Sequence, residues 1–204
     1  DLRLEPCATL TINNVFRERV VYLGISPAPE APAWFHALPS HIPDMQSPTI
    51  VMENLPPGRY IVHFSYNAPR AETGSGRGNG IRRYVTLAAG EERNLTTLED
   101  GPEVLVRLSL PEGMKAQIEL RGDPTTITSS AFTDGIVRFH VVPPGQYQLV
   151  AKLYSADTPK NTRRDYTDYE YPEPITIEGN AQKPVRVGTF HTTEGNKLAL
   201  AEEL

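Results

Sequence analysis

Pro-Pro-Gly-x-Tyr occurs twice in this chain, in NLPPGRYIVHF at 54–64 and in VVPPGQYQLVAKL at 141–153, each time at the mouth of an alternating apolar run. No other feature restricts the accessible folds as strongly. Pro57-Gly58 and Pro144-Gly145 suit the two central positions of a type II turn, since proline presets the first φ and glycine accepts the positive φ that follows. Beyond each pair, Tyr60, Val62, Phe64 and Tyr66 in one copy and Tyr147, Leu149, Ala151 and Leu153 in the other recur at period two. That is the repeat of a strand with one buried face. Leu55-x-x-Gly58-x-Tyr60 and Val142-x-x-Gly145-x-Tyr147 have the spacing of a tyrosine corner, whose ring packs inside while its hydroxyl bonds an upstream backbone group.

The likeness extends outward. TIVMENL at 49–55 and GIVRFHVV at 135–142 supply a second alternating strand, and the offset is constant: Pro56 and Pro143 are 87 residues apart, as are Ile50 and Val137. Two strands and their turn repeated at one offset predict duplicated domains. YVTLAAGEERNLTTL at 84–98 and PITIEGNAQKPVRVGTF at 174–190 each read as a strand, a Gly-containing turn and a strand, so a hairpin is expected to close each copy. ATLTI at 8–12 with RVVYLGI at 19–25, and EVLVRLSL at 103–110 with KAQIEL at 115–120, open them. About six strands per copy predict an all-β chain of two tandem Greek-key, immunoglobulin-like β-sandwiches. The first occupies 1–100 with a Pro-rich insertion at 26–48, the second 101–191, and a C-terminal tail covers 192–204, where EGNKLALAEEL reads as a short polar helix or a lead into further sequence.

TDGIVRFHVVPPGQYQLVAK, 133–152, resembles the signature of the carboxypeptidase regulatory-like family through Asp134-Gly135, Val137, Phe139, Pro143-Pro144-Gly145, Tyr147 and Leu149. The resemblance implies a transthyretin-like (prealbumin-like) sandwich, tandem use in exported bacterial proteins, and a periplasmic, cell-surface or secreted location. The first copy departs from it by carrying Ser47-Pro48 in place of Asp134-Gly135. The matching residues are structural ones, so they bring no catalytic machinery with them.

Composition narrows the function classes. Nineteen prolines and 15 glycines promise turns rather than long helices, and a net charge of −5 with scattered Lys and Arg argues against nucleic acid as a partner. No apolar stretch approaches the ~18 residues of a membrane span. Cys7 is the only cysteine, so no intrachain disulfide can form, and it is expected to be a small buried side chain.

No motif carries chemistry. His36, His41, His63, His140 and His191 lack zinc-site spacing, and no nucleophile elbow is present, so no metal, cofactor or catalytic residue is expected. The transthyretin-like purine-pathway hydrolases carry a Tyr-Arg-Gly-Ser signature that this chain lacks. Thr11 and Arg107 stand where a collagen-adhesin-type isopeptide would need lysine. Arg121-Gly122-Asp123 reads as a polar turn after a strand.

Two segments are candidates for binding. TRRDYTDYEYPEP, 162–174, gathers Tyr166, Tyr169 and Tyr171 with Asp168, side chains able to stack on sugar rings and accept hydroxyl hydrogen bonds. The alternative is a twisted edge strand whose tyrosines cover the sandwich. In the insertion, Trp34-Phe35 is either a lid on its own domain or a protein-contact anchor. The chain is therefore expected to be a non-catalytic exported scaffold or interaction protein, meeting other proteins or copies of itself at a cell surface. A carbohydrate-binding module using 162–174, and accessory domains of a larger enzyme, are the competing readings.

Overall fold

Period-two alternation governs the first strand, β1 (Ala8–Asn13), where Ala8, Leu10 and Ile12 are buried and Thr9 and Thr11 are partly exposed. In the computed structural model, the residues described are 6–13, 20–31, 47–66, 80–96, 101–129, 135–139, 141–159, 165–179 and 184–202. They form strands and no helix. Their contacts divide the chain into two compact units, the first holding six strands and the second nine.

In the first unit β1 is followed by β2 (Val20–Pro27), β3 (Thr49–Leu55), β4 (Gly58–Tyr66), β5 (Gly80–Leu87) and β6 (Glu92–Thr96). One sheet has the order β3-β1-β6, with β1 antiparallel to β3 and parallel to β6. In the other, β4 lies antiparallel between β2 and β5. Leu10, Ile12, Ile50, Met52 and Leu95 of the first sheet, and Leu23, Ile25, Val62, Phe64, Val85 and Leu87 of the second, are the buried apolar faces of a β-sandwich.

The second unit comprises β7 (Val104–Ser109), β8 (Met114–Arg121), β9 (Thr125–Thr128), β10 (Gly135–Phe139), β11 (Gly145–Ser155), β12 (Thr167–Glu170), β13 (Ile175–Ile177), β14 (Val185–Thr193) and β15 (Lys197–Glu202). β7 pairs antiparallel with β10 and parallel with β14, the same two kinds of partner that β1 has. β11 pairs antiparallel with β8, and takes β13 beside its first residues and β12 beside Val150–Leu153. Val106, Leu108, Phe139 and Phe190 of one layer, with Ile118, Leu120, Leu149 and Leu153 of the other, are buried.

Both tyrosine corners are formed. The Tyr60 hydroxyl donates to the Pro56 carbonyl oxygen at 2.6 Å, and the Tyr147 hydroxyl to that of Pro143 at 2.8 Å. The turn beneath them differs from expectation. Gly58 and Gly145 have φ of 159° and 156°, far from the roughly +80° of a type II turn, because each glycine is already the first residue of its strand. The bend is made by the diproline backbone and held by the tyrosine.

Three further expectations are corrected. Neither expected hairpin forms: β5 pairs with β4 whereas β6 pairs with β1, and β13 pairs with β11 whereas β14 pairs with β7 and β15. Around Gly90, whose φ is 69°, the Glu91 amide donates to the Ala88 carbonyl and the Ala88 amide to the Glu91 carboxylate, and this tight turn carries the chain from one sheet to the other. Buried Leu95 then lies in register with Ile12, which a β5 neighbour would not permit. The tail is a strand in place of a polar helix: Gly195 and Asn196, at φ 71° and 57°, reverse the chain so that β15 returns along β14 and buries Leu198. So short a segment does not sustain a helix, but strand pairing needs only a neighbour. Cys7 is exposed, since it lies just outside the first inward position of β1.

Candidate functional site

Within 162–174, the residues from 165 onward are described, and β12 decides what they can do. Tyr169 is in register with buried Ala151 and therefore lies on the core side of the sheet, while Asp168 and Glu170 share the opposite face. Tyr166, before the strand, is 40% exposed and meets the Tyr154 ring edge-on at 5.3 Å. Tyr171, after it, meets the Phe190 ring edge-on at 5.0 Å. The three tyrosines thus occupy separate places and do not make one stacking platform. Trp34 and Phe35 lie outside the described residues, as do His36, His41 and Asp44.

What the sheet does gather is charge. Gln148 and Arg121 are paired across β11 and β8, and Arg121 and Glu119 alternate onto one face of β8. Arg121 Nε bonds Glu119 Oε2 at 2.9 Å, one terminal nitrogen bonds Asp168 Oδ2 at 2.7 Å, and the other lies 3.5 Å from Glu170 Oε1. Lys152 Nζ approaches the other oxygen of Glu119 at 3.3 Å. Glu119, only 3% exposed, is a nearly buried carboxylate that two cations satisfy. Burial opposes the charge on Arg121, but hydrogen bonds to Asp168 and Glu119 outweigh it and hold the guanidinium above its ordinary range. Arg121 of Arg121-Gly122-Asp123 is thereby committed to the sheet, and Gly122 lies against the Tyr147 ring.

Beside this network is a hollow of about 380 Å³, lined by Gln148, Asp168, Glu170, Tyr171, Pro172, Gly195, Asn196 and Lys197. The Glu170 amide donates to the Asn196 carbonyl at 3.1 Å, tying the rim to the β14–β15 turn, and the Gln148 side-chain amide donates to the Tyr171 carbonyl. Desolvation, then the nearby Glu173 carboxylate, push the Tyr171 hydroxyl above its ordinary pKa. Among the described residues no group of His, Cys, Asp and Glu is arranged to hold a metal ion. Of the lining residues, Asp168 and Tyr171 are legible as candidates in the sequence. Gln148, Asn196 and Lys197 are not, although the Gly-Asn pair before an alternating Leu-Ala-Leu run is a turn-then-strand signal.

No family model matches the chain, and no curated protein does. Among solved structures, a streptococcal ancillary pilin aligns at 16% identity over 87% of this chain and 60% of its own, with a TM-score of 0.26. The Bacillus anthracis TIE protein aligns at 12% identity over 92% of this chain and 34% of its own, with a TM-score of 0.28. A candidate adhesin from Bacteroides ovatus aligns at 9% identity over 94% and 92%, with a TM-score of 0.30. The chain thus spans less than two thirds of the first two, and scores at this level carry no argument about function.

Proposed function

We propose that the chain is a non-catalytic interaction protein, exported to a cell surface, that associates through the edges of its sheets. The two units are taken as tandem transthyretin-like modules of the carboxypeptidase regulatory-like kind, meeting near residues 99–102. The repeated tyrosine corner and the matching partners of β1 and β7 support this.

The observation that carries the reading is where exposed apolar side chains fall. Among the described residues, three of the five exposed large apolar side chains, Tyr22, Val51 and Ile136 at 42%, 50% and 52%, sit on β2, β3 and β10, the outermost strands of their sheets, while Tyr166 precedes β12 and Leu200 lies on the interior strand β15. Edge strands present unpaired N–H and C=O groups, and are ordinarily protected by charge, proline or bulges. Apolar side chains at such an edge favour addition of a further strand. The clustered carboxylates of the second unit, Glu119, Asp168 and Glu170, are engaged by Arg121.

Sedimentation velocity of the full chain from about 1 to about 200 µM tests the proposal. Concentration-dependent association, weakened about tenfold or more by Val51→Lys and Ile136→Lys, is the expected result. A chain that stays monomeric throughout, or variants that associate like the parent, would overturn it.

A further inference from the structure

The hollow on the outer side of β12 is a second kind of site, independent of the sheet edges. We propose that it binds a neutral sugar ring. Its volume of about 380 Å³ falls within the roughly 300–1,000 Å³ of small-molecule sites. Its chemistry is mixed. Asp168 and Glu170 carry acceptor oxygens, Asn196 and Lys197 carry donors, and Tyr171 is the aromatic residue of the lining. A sugar hydroxyl both donates and accepts, so a ring with several of them satisfies both sets at once, while its C–H face rests on Tyr171.

Charge selects the class. Asp168 and Glu170 are balanced by Arg121 behind them and by Lys197 at the rim, a local sum of zero. The inner pair of Glu119 and Lys152 also cancels. An anionic ligand would meet the two rim carboxylates, and a cationic one would have to displace Arg121. Among the described residues no group of His, Cys, Asp and Glu is arranged to hold a metal ion, and Asp168 Oδ2 already accepts from Arg121 at 2.7 Å. The donors and acceptors are also preset. Arg121 holds the carboxylates, strand pairing of Glu170 with Lys197 fixes the rim, and Asn196 is locked in the left-handed conformation of the turn.

The test is amide chemical-shift mapping of the ¹⁵N-labelled full chain titrated with maltotriose, cellotriose, mannotriose and galactotriose. At least one is expected to shift the amides of Gln148, Glu170, Tyr171, Asn196 and Lys197 with a Kd of about 0.1–5 mM, the weak affinity of a small polar ligand. Asn196→Gly keeps the turn, because glycine adopts its φ without strain. Glu170→Ala removes a side chain that is 55% exposed. Each is expected to weaken binding about tenfold, with amides outside the hollow unchanged. The proposal fails if none of the four sugars shifts these amides, if shifts cluster elsewhere, if the variants bind like the parent, or if trigalacturonate alone binds.

Discussion

The Tyr147 hydroxyl hydrogen-bonds the carbonyl oxygen of Pro143, four residues upstream, at 2.8 Å while its ring is 3% exposed. Tyr60 and Pro56 repeat the arrangement at 2.6 Å. Each tyrosine therefore fills its core with the ring and satisfies a bend carbonyl with the hydroxyl. Burial, with a smaller contribution from neighbouring Cys7, pushes the Tyr60 hydroxyl up to about 12, so it is a proton donor at neutral pH.

Removing only the oxygen isolates that second contribution. Tyr147→Phe and Tyr60→Phe are each expected to lower unfolding stability by about 1–2 kcal/mol, the lost bond plus an unsatisfied carbonyl. Urea denaturation measures it, and values indistinguishable from the parent would show that ring packing alone holds the bend.

Gly122 has no room for a side chain. A Cβ there would lie 2.9 Å from the Tyr147 ring and 3.1 Å from the Gln146 carbonyl oxygen. Gly122→Ala is expected to cost about 1–3 kcal/mol. Gly80→Ala, which meets nothing within 4 Å, should change little. Equal losses at both positions would argue against the crowding.

Arg121→Met takes one of the two cations from the buried Glu119 carboxylate and leaves it Lys152. Because Arg121 is 34% exposed, the loss is expected to be about 1–3 kcal/mol rather than the larger figure for a fully buried pair. Adding Glu119→Leu should recover most of it. A double-mutant cycle in guanidinium that finds the two changes additive would refute the coupling.

His63 is half-buried, hydrogen-bonded between its Nε2 and Ser26 Oγ at 3.1 Å, and in register with Arg82. Burial, then Arg82, lower its pKa below the ordinary histidine value. The unfolded chain thus binds the proton more tightly, and stability present above the unfolded pKa of about 6.5 is lost as pH falls through the lower folded value. His63→Gln should flatten the fall in Tm between about pH 7.5 and 5. Parallel Tm profiles for variant and parent would contradict this.

Leu198 and Leu200 lie two residues apart on one face of β15 yet differ in burial, the first 2% exposed and the second 39%. Leu198→Ala is expected to cost about 2–4 kcal/mol, and Leu200→Ala within about 0.5 kcal/mol of nothing. Thermal denaturation distinguishes them, and similar small effects would mean that β15 contributes little to the unit.

Much of this architecture follows from local pattern. Tyr60, Val62 and Phe64, or Leu149, Ala151 and Leu153, alternate so regularly that only strands can hide them, and Pro-Pro-Gly-x-Tyr announces its own internal hydrogen bond. Such signals are written within a few consecutive residues, which is why they are readable without coordinates. Which strand each one pairs with is not written there. β6 chooses β1 over β5, and β15 forms because Gly195 and Asn196 turn it back onto β14. The candidate site belongs to this second category, since Arg121, Gln148, Asp168 and Asn196 come together from distant positions only once β8, β11, β12 and the β14–β15 turn lie side by side. Strand formation depends on near neighbours in the chain, whereas a binding hollow depends on neighbours in space, and only folding supplies those.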